Sequence, residues 1–552
     1  MPQRVLDVVI VGGGISGIAQ AVRLQEKLGD KVRFTIYERT REIGGVWAHS
    51  KWRGAGVDVP IHLYSLYSHP FAGFSSKFAK REEVLSYWKR IAASPRLADS
   101  IVFETDFVSS RWNHETQQHT VTFRNVTTGE TFDVTANFLI AANGALNQPR
   151  VPDVPGRTTF KGIQFHSSKW DTEVDLKNKR VAVVGNGSSA IQIIPGITEI
   201  EGLELINFIR SSGYFRPKEN FEYSTFTKFV FKYVPFALKL YRWSTFQEYD
   251  WGLVVQGTGK IASRLREKVA KNLIAYMKKE LPEKYWKDLL PDYPLDCKRV
   301  GYDAGWLRSF HRDNVDLVSS PIVRITEREI VTADGRSYPV DIIVYATGFA
   351  VTDTGVGLNH GIYGEDGVEL AQKFRENQGA YGFLGVAFEA VPNYFAVLGP
   401  NAIAMSWGYT LGNNTEFIAR IIRGVYDRGL SSIVVKKNVI DEYNRYIQHR
   451  VSHSIWYSSE CGGSWYKEPG SGIRSVSDAP SPLVAAELWA LTRKIKWEDW
   501  CARRLVLPFP SGTPELVTVD VKTPWNWTPL GTLLDWFAER RRRTFEKAMV
   551  EK

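Results

Sequence analysis

The first apolar run, residues 6–11 (Leu-Asp-Val-Val-Ile-Val), is nearly unbroken, the pattern of a strand covered on both faces within a parallel sheet. Gly12, Gly13 and Gly14 end it. Residues 18–28 then repeat apolar positions at helical spacing, and a second strand, 32–37, stops at Glu38. The same order recurs further on: strand 180–185, a Gly-x-Gly-x-x-Ala turn, a helix opening at 191–194, and strand 204–209 ending in Arg210. A strand at 138–142 leads into a Pro-spaced connector (Pro149, Pro152, Pro155-Gly156), and one at 341–345 leads into Ala346-Thr347-Gly348-Phe349. These two exits bracket everything between them. The pattern therefore predicts an α/β chain with two Rossmann-like dinucleotide-binding domains, the second inserted in the first. From 214 to 290 aromatic and basic residues, among them Phe226, Phe229, Tyr233, Tyr241, Trp243 and Tyr249, alternate at helical period. They predict a helical insertion whose rings serve either a substrate-facing wall or ordinary core packing. The implied divisions are 1–150 and 346–552 for the first domain and a C-terminal extension, 151–213 and 293–345 for the second, and 214–292 for the insertion.

The Gly-rich turns carry the chemistry. In the first, Gly12, Gly14 and Gly17, with Ser16 among them, let the backbone turn tightly and approach a pyrophosphate whose charge rests on the following helix N-terminus. Glu38 lies 21 residues beyond Gly17, where an acid accepts from an adenosine ribose hydroxyl and repels a 2′-phosphate. This site suits FAD or NAD and not NADP, and FAD is preferred because the second turn is built for the other cofactor. There Gly185, Gly187, Ser188 and Ser189 form the turn, and the partner strand ends in Arg210, followed by Ser211, with no acid. A guanidinium at that position pairs with a 2′-phosphate, so NADPH is expected over NADH, the alternative being a merely exposed strand-end arginine. Two dinucleotide sites in one chain imply electron passage from one cofactor to the other.

Composition narrows the classes. At 552 residues the chain has length for two or three cores, and its 43% hydrophobic and 24% charged content is that of an ordinary globular protein. The net charge of +10 is spread along the sequence with no compact basic stripe, so nucleic-acid binding is not expected. The densest run, Arg540, Arg541, Arg542 and Arg543, reads as a solvated helix face, with a membrane-surface contact as the alternative. Residues 229–243 come nearest to a membrane span but contain Lys232, Pro235, Lys239 and Arg242, so no integral membrane association is expected. Three widely spaced cysteines, Cys297, Cys461 and Cys501, encode neither a zinc site nor a dithiol centre. They fit a reducing, cytoplasmic setting, with Cys297 read as a small buried residue.

Between the two turns stands Phe160-x-Gly162-x-x-x-His166-x-x-x-Trp170-Asp171. This pattern resembles, at every defined position, the fingerprint of the type I Baeyer–Villiger monooxygenases, a family of class B flavoprotein monooxygenases. The resemblance extends to Gly44-Gly45-Val46-Trp47, Gly54-Ala55 with Asp58, Lys298-Arg299, Asp341 to Phe349 and Ser464-Trp465-Tyr466, nearly the whole chain. It implies tightly bound FAD, NADPH as reductant, and insertion of one oxygen from O₂ beside the carbonyl of a ketone through a flavin C4a-peroxide. It further implies that Arg299 is the catalytic cation, oriented by Asp58 through a carboxylate contact. Lys298 would join Arg210 on the 2′-phosphate, Trp465 would close over the nicotinamide nucleotide, and Gly45, Val46 and Trp47 would line the flavin site. His166 is expected to couple positions on the linker and not to move protons; Trp170 is expected to pack. The chain departs from the family pattern at Arg53-Gly54, where Pro-Gly is usual, and at Asn143, where Thr is usual. The abundance of Phe, Tyr and Trp favours a lipophilic ketone. The alternatives are a class B enzyme oxygenating nitrogen or sulfur, a disulfide reductase, disfavoured for want of paired cysteines, and a non-catalytic FAD-fold carrier.

Overall fold

A computed structural model describes residues 4–350, 361–377, 379–400, 407–461, 495–506 and 515–521. Two five-stranded parallel sheets organise it. The first runs, edge to edge, Tyr394–Ala396, Phe138–Ala141, Leu6–Val11, Val32–Tyr37, Ile101–Val102. The second runs Val315–Val318, Glu204–Phe208, Arg180–Val184, Ile342–Tyr345, Ile163–His166. All five strands of the second sheet fall between Phe138–Ala141 and Tyr394–Ala396 of the first, so the second unit is inserted in the first as expected. In each sheet the Gly-rich turn leaves an inner strand buried on both faces.

The helix after the first turn spans Ile15–Leu28, three residues earlier than the apolar period suggests, because Gly14 (φ −76°, ψ −171°) is still extended and caps it. It packs on the long helix Trp407–Asp427, joining segments far apart in sequence over one core that includes Ile18, Val22, Phe417 and Ile421. An antiparallel layer, Thr105–Asn113, Gln118–Asn125 and Thr131–Ala136, covers the other face.

His166 ends its strand opposite Tyr345. Its Nδ1 accepts from the Ser168 backbone N–H at 3.1 Å, which leaves Nε2–H to donate to the Gly348 carbonyl at 2.9 Å. Burial pulls its pKa down, so the ring is held neutral between the fingerprint and the 346–349 connector. Trp170 packs edge-on against Phe165.

Two expectations are corrected. Cys297 and Cys461 form a disulfide across 164 residues, each 1% exposed. The pair arises because the chain returns past residues 293–299, where the Trp456 indole N–H donates to the Asp296 carbonyl at 2.8 Å, a proximity no spacing rule contains. The cysteine count therefore no longer argues for a reducing compartment. Nor is the disulfide-reductase alternative set aside for want of a pair; the pair is instead buried among Ile455, Trp456 and Tyr293, away from substrate thiols. The second correction concerns the insertion, which is helical (Thr225–Tyr233, Ala237–Gly252, Lys260–Glu280). Tyr241 packs inward, but Phe226, Phe229, Tyr233 and Trp243 are exposed and belong neither to a core nor to an enclosed wall. Trp465, with its neighbours Ser464 and Tyr466, and Arg540 to Arg543 lie outside the described residues.

Candidate active site

The first turn is held by its acid. Gly13 N–H donates to Glu38 Oε2 at 2.7 Å, while the Thr40 N–H and hydroxyl donate to Oε1 at 2.9 and 2.8 Å. Glu38 is buried at the strand end, and Oε2, which accepts one bond, keeps a lone pair for a ribose hydroxyl. Gly12 has φ +108°, and a Cβ there would lie 2.7 Å from the Ala142 carbonyl; a Cβ on Gly17 would lie 2.0 Å from the Gly12 carbonyl. Only glycine allows strand and helix to meet so closely. Ser16 is buried in the first helical turn, which carries no acid and no side-chain cap, leaving its N–H groups to an anion. Gly45 rests on Gly14, with a built Cβ 3.0 Å from the Gly14 Cα, and opens the short helix Val46–His49. Val46 is 40% exposed beside the turn. Trp47 donates its indole N–H to the Tyr64 hydroxyl at 3.0 Å. These residues fit FAD.

The second turn repeats this geometry. Gly185 has φ +116° and would place a Cβ 2.4 Å from the Ala346 carbonyl. A Cβ on Gly187 would meet nothing within 4 Å, so the fold itself does not require glycine there; open space for a ligand does. Ser189 precedes the helix Ala190–Ile197. Arg210 is exposed just past its strand, and Lys298 Nζ donates to Ser211 Oγ at 3.3 Å while resting over the Tyr293 ring. The Lys298 ammonium is pulled below the ordinary lysine value, first by burial and then by the charge of Arg210. Two cations and a hydroxyl crowded in this way fit a phosphate that would relieve their repulsion.

The two units meet at Asp58. Arg299 Nη2 donates to Asp58 Oδ2 at 2.6 Å, and Ser188 Oγ donates to the same oxygen at 3.3 Å. Asp58 belongs to the first unit, while Ser188 and Arg299 come from the second; their side chains keep 24% (Asp58) and 37% (Arg299) exposure. The carboxylate is held in register by Gln192, whose Nε2–H donates to the Gly56 carbonyl at 3.0 Å and whose Oε1 accepts from Gly56 N–H at 3.3 Å. Gly54, φ +89°, passes so close that a Cβ would lie 2.7 Å from the Gln192 carbonyl, which explains the glycine and not the Arg53 that stands before it.

Three groups escaped the sequence reading. Ser188, assigned there only to the phosphate turn, also touches Asp58. Tyr64, half-buried and oriented by Trp47, has its phenol pushed up by burial and by the nearby Asp58 charge, against Arg299. Lys218 is lowered by burial and raised by Asp58, so a second cation faces the same carboxylate. No periodicity or motif marks either of the last two. Behind Asp58, His62 is fully buried among the rings of Phe74, Tyr223, Phe231 and Tyr241, and burial with the Arg242 charge holds it down to about 3.

Two Gly-rich turns, an acid on one nucleotide ribose and cations for a phosphate on the other define a flavin- and pyridine-nucleotide-dependent oxidoreductase. In agreement, the family model described as pyridine nucleotide-disulphide oxidoreductase matches residues 6–197. A Baeyer–Villiger monooxygenase of Streptomyces coelicolor is 29% identical over 522 residues, 91% of this chain and 93% of that one. Another, of Pseudomonas aeruginosa, is 29% identical over 474 residues, 85% and 86% of the two chains. The crystal structure of OTEMO in complex with FAD and NADP superposes with a TM-score of 0.76 at 25% identity, covering 90% of this chain and 99% of that one. Over most of its length the chain is thus similar to Baeyer–Villiger monooxygenases.

Proposed function

We propose that this protein is an FAD- and NADPH-dependent Baeyer–Villiger monooxygenase acting on a lipophilic ketone. The balanced reaction is ketone + O₂ + NADPH + H⁺ → ester or lactone + NADP⁺ + H₂O. The observation that carries it is the Asp58–Arg299 pair, a permanently charged guanidinium fixed beside Ser188 of the second dinucleotide turn, where the two units meet. Bound flavin supplies the redox chemistry, taking a hydride from NADPH and activating O₂. The chain's own residues do the rest. Gly12, Gly14, Ser16, Gly17 and Glu38 hold the flavin's adenosine diphosphate half, and Gly45, Val46 and Trp47 border its ring. Gly185, Gly187, Ser188 and Ser189 seat the second pyrophosphate, and Arg210, Ser211 and Lys298 the 2′-phosphate of the same nucleotide.

Arg299 stabilises the negative charge that develops on the reacting oxygen and on the carbonyl oxygen it attacks. Asp58, sharing Oδ2 with Ser188, keeps that guanidinium from swinging into solvent, so loading of the NADPH turn and placement of the cation are mechanically linked. The abundance of Phe, Tyr and Trp supports a lipophilic substrate. We place residues 1–150 and 346–552 in the flavin unit and 151–213 with 293–345 in the nucleotide unit, and expect a cytoplasmic enzyme. The complete Phe160-to-Asp171 pattern favours carbon–carbon insertion over nitrogen or sulfur oxygenation. The test is a panel of cyclic and open-chain ketones, amines and sulfides under ¹⁸O₂ with product mass. A ketone gaining one labelled atom as ester or lactone supports the proposal; labelled N-oxide or sulfoxide alone overturns it.

A further inference from the structure

The helices Thr225–Tyr233 and Ala237–Gly252 pack on each other, and the rings of their inward residues Phe231 and Tyr241 meet at a tilt, with centroids 5.0 Å apart. Their outward residues are just as apolar. Phe226 (74% exposed), Phe229 (55%) and Tyr233 (59%) recur at i, i+3, i+7 on the first helix. Phe236 (69%), Leu240 (63%) and Trp243 (63%) recur at i, i+4, i+7 at the start of the second. Scattered exposed apolar side chains are ordinary, but six on the outer faces of one hairpin form a patch of the kind that marks an interaction site.

The charges around this patch identify what it fits. From Tyr223 to Gln247 the sequence holds no Asp or Glu, while Lys228, Lys232 and Lys239 are interleaved with the exposed rings. Lys232 lies over the Tyr233 ring at 4.9 Å and Lys239 over the Phe236 ring at 5.7 Å, so ammonium groups fringe the aromatic surface. Arg242, the remaining cation, turns inward to Ser65 and is not part of the face. A second copy of this chain meeting the patch symmetrically would oppose lysines to lysines. The basic run from Arg540 to Arg543 has the wrong sign as well. A surface of phosphate headgroups above acyl chains complements both the rings and the lysines.

We propose that the 225–243 hairpin is an interfacial membrane-docking face that inserts its outer rings into the headgroup layer of an anionic bilayer. Phe226, Phe229, Tyr233, Phe236, Leu240 and Trp243 enter the interface, and Lys228, Lys232 and Lys239 contact lipid phosphates. This does not depend on the reaction assigned above. No bilayer crossing is involved, since no helix among the described residues is long and apolar enough.

The test is flotation of the flavin-loaded, full-length protein with vesicles of phosphatidylcholine alone and of a two-to-one mixture with phosphatidylglycerol. The wild type should float with the anionic vesicles, less with the neutral ones, and less at high salt. The triple variant Phe229→Ser/Phe236→Ser/Trp243→Ser should lose binding by about ten-fold or more, and Lys228→Gln/Lys232→Gln/Lys239→Gln should lose the preference for anionic lipid. Retained flavin and an unchanged far-ultraviolet spectrum show that each variant is folded, since all six residues point outward. Absence of wild-type binding, or undiminished binding by the folded aromatic variant, overturns the proposal. So does a wild-type dimer in light scattering that the aromatic variant dissociates while vesicle binding stays absent, which would assign the face to a second copy.

Discussion

Replacing Arg210 by Ala should discriminate between the two nicotinamide nucleotides, and the structure sets the size of the effect. A guanidinium on a 2′-phosphate contributes about 1.5–3 kcal/mol as a charge-assisted hydrogen bond. Part is offset in the parent, because Arg210 also repels the half-buried Lys298, whose ammonium it helps to pull down. Relief of that repulsion returns about 1 kcal/mol in a surface setting. The net loss is then about 0.5–2 kcal/mol, or roughly two- to thirty-fold in kcat/KM for NADPH. NADH lacks the phosphate, so its kcat/KM should change less than two-fold. Steady-state assays with both nucleotides at saturating ketone measure this directly. The pH profile adds a signed check: NADPH affinity falls as pH rises through the Lys298 pKa, and without Arg210 that fall moves to higher pH. Equal losses with NADPH and NADH, or a fall shifted to lower pH, would refute the reasoning.

Asp58→Ala removes the oxygen shared by Arg299 and Ser188; ester formation should drop about ten- to hundred-fold while NADPH oxidation continues as peroxide release, read by a peroxide-coupled assay. Glu38→Ala strips the turn of its bonds to Gly13 and Thr40, so the purified protein should carry substoichiometric FAD, seen in the 450/280 nm absorbance ratio, and full occupancy would contradict the assignment. Gly17→Ala drives a Cβ to 2.0 Å from the Gly12 carbonyl and should not yield folded protein, whereas Gly187→Ala, with no protein atom within 4 Å, should fold, keep its flavin and bind NADPH more weakly. A Gly187→Ala variant that loses flavin as readily as it loses NADPH would mean that the second turn serves another purpose.

Strands buried on both faces were the most readable part of this chain. Leu6–Val11 coincides with its apolar run, because a parallel interior strand shows nearly its whole length as hydrophobic sequence, and Val32–Tyr37 also falls as expected although Arg33 is exposed. Three others, Phe138–Ala141, Arg180–Val184 and Glu204–Phe208, stop one residue short of the apolar run, where the chain has turned toward the Gly-rich loops. Asp58 and Arg299 were nameable only through resemblance, being separated by 241 positions. Ser188 on Asp58, the Gln192 clamp on Gly56 and the Cys297–Cys461 link arise from the approach of elements distant in sequence, which periodicity does not encode. The outer rings of the 225–243 hairpin misled for a different reason. A helix apolar all round reads as buried, and only the folded packing reveals that one side is exposed among the described residues.

Arg299→Ala tests the central claim most directly, through paired stopped-flow measurements of anaerobic flavin reduction by NADPH and of ketone oxygenation after mixing with O₂. Reduction should stay within a few-fold of the parent, since the guanidinium is not needed for hydride delivery, while ester formation should fall by about 10²–10³ or more. Ester produced at the parental rate, or reduction and oxygenation lost in equal proportion, would contradict the assignment of the Asp58-held cation to the oxygen-transfer step.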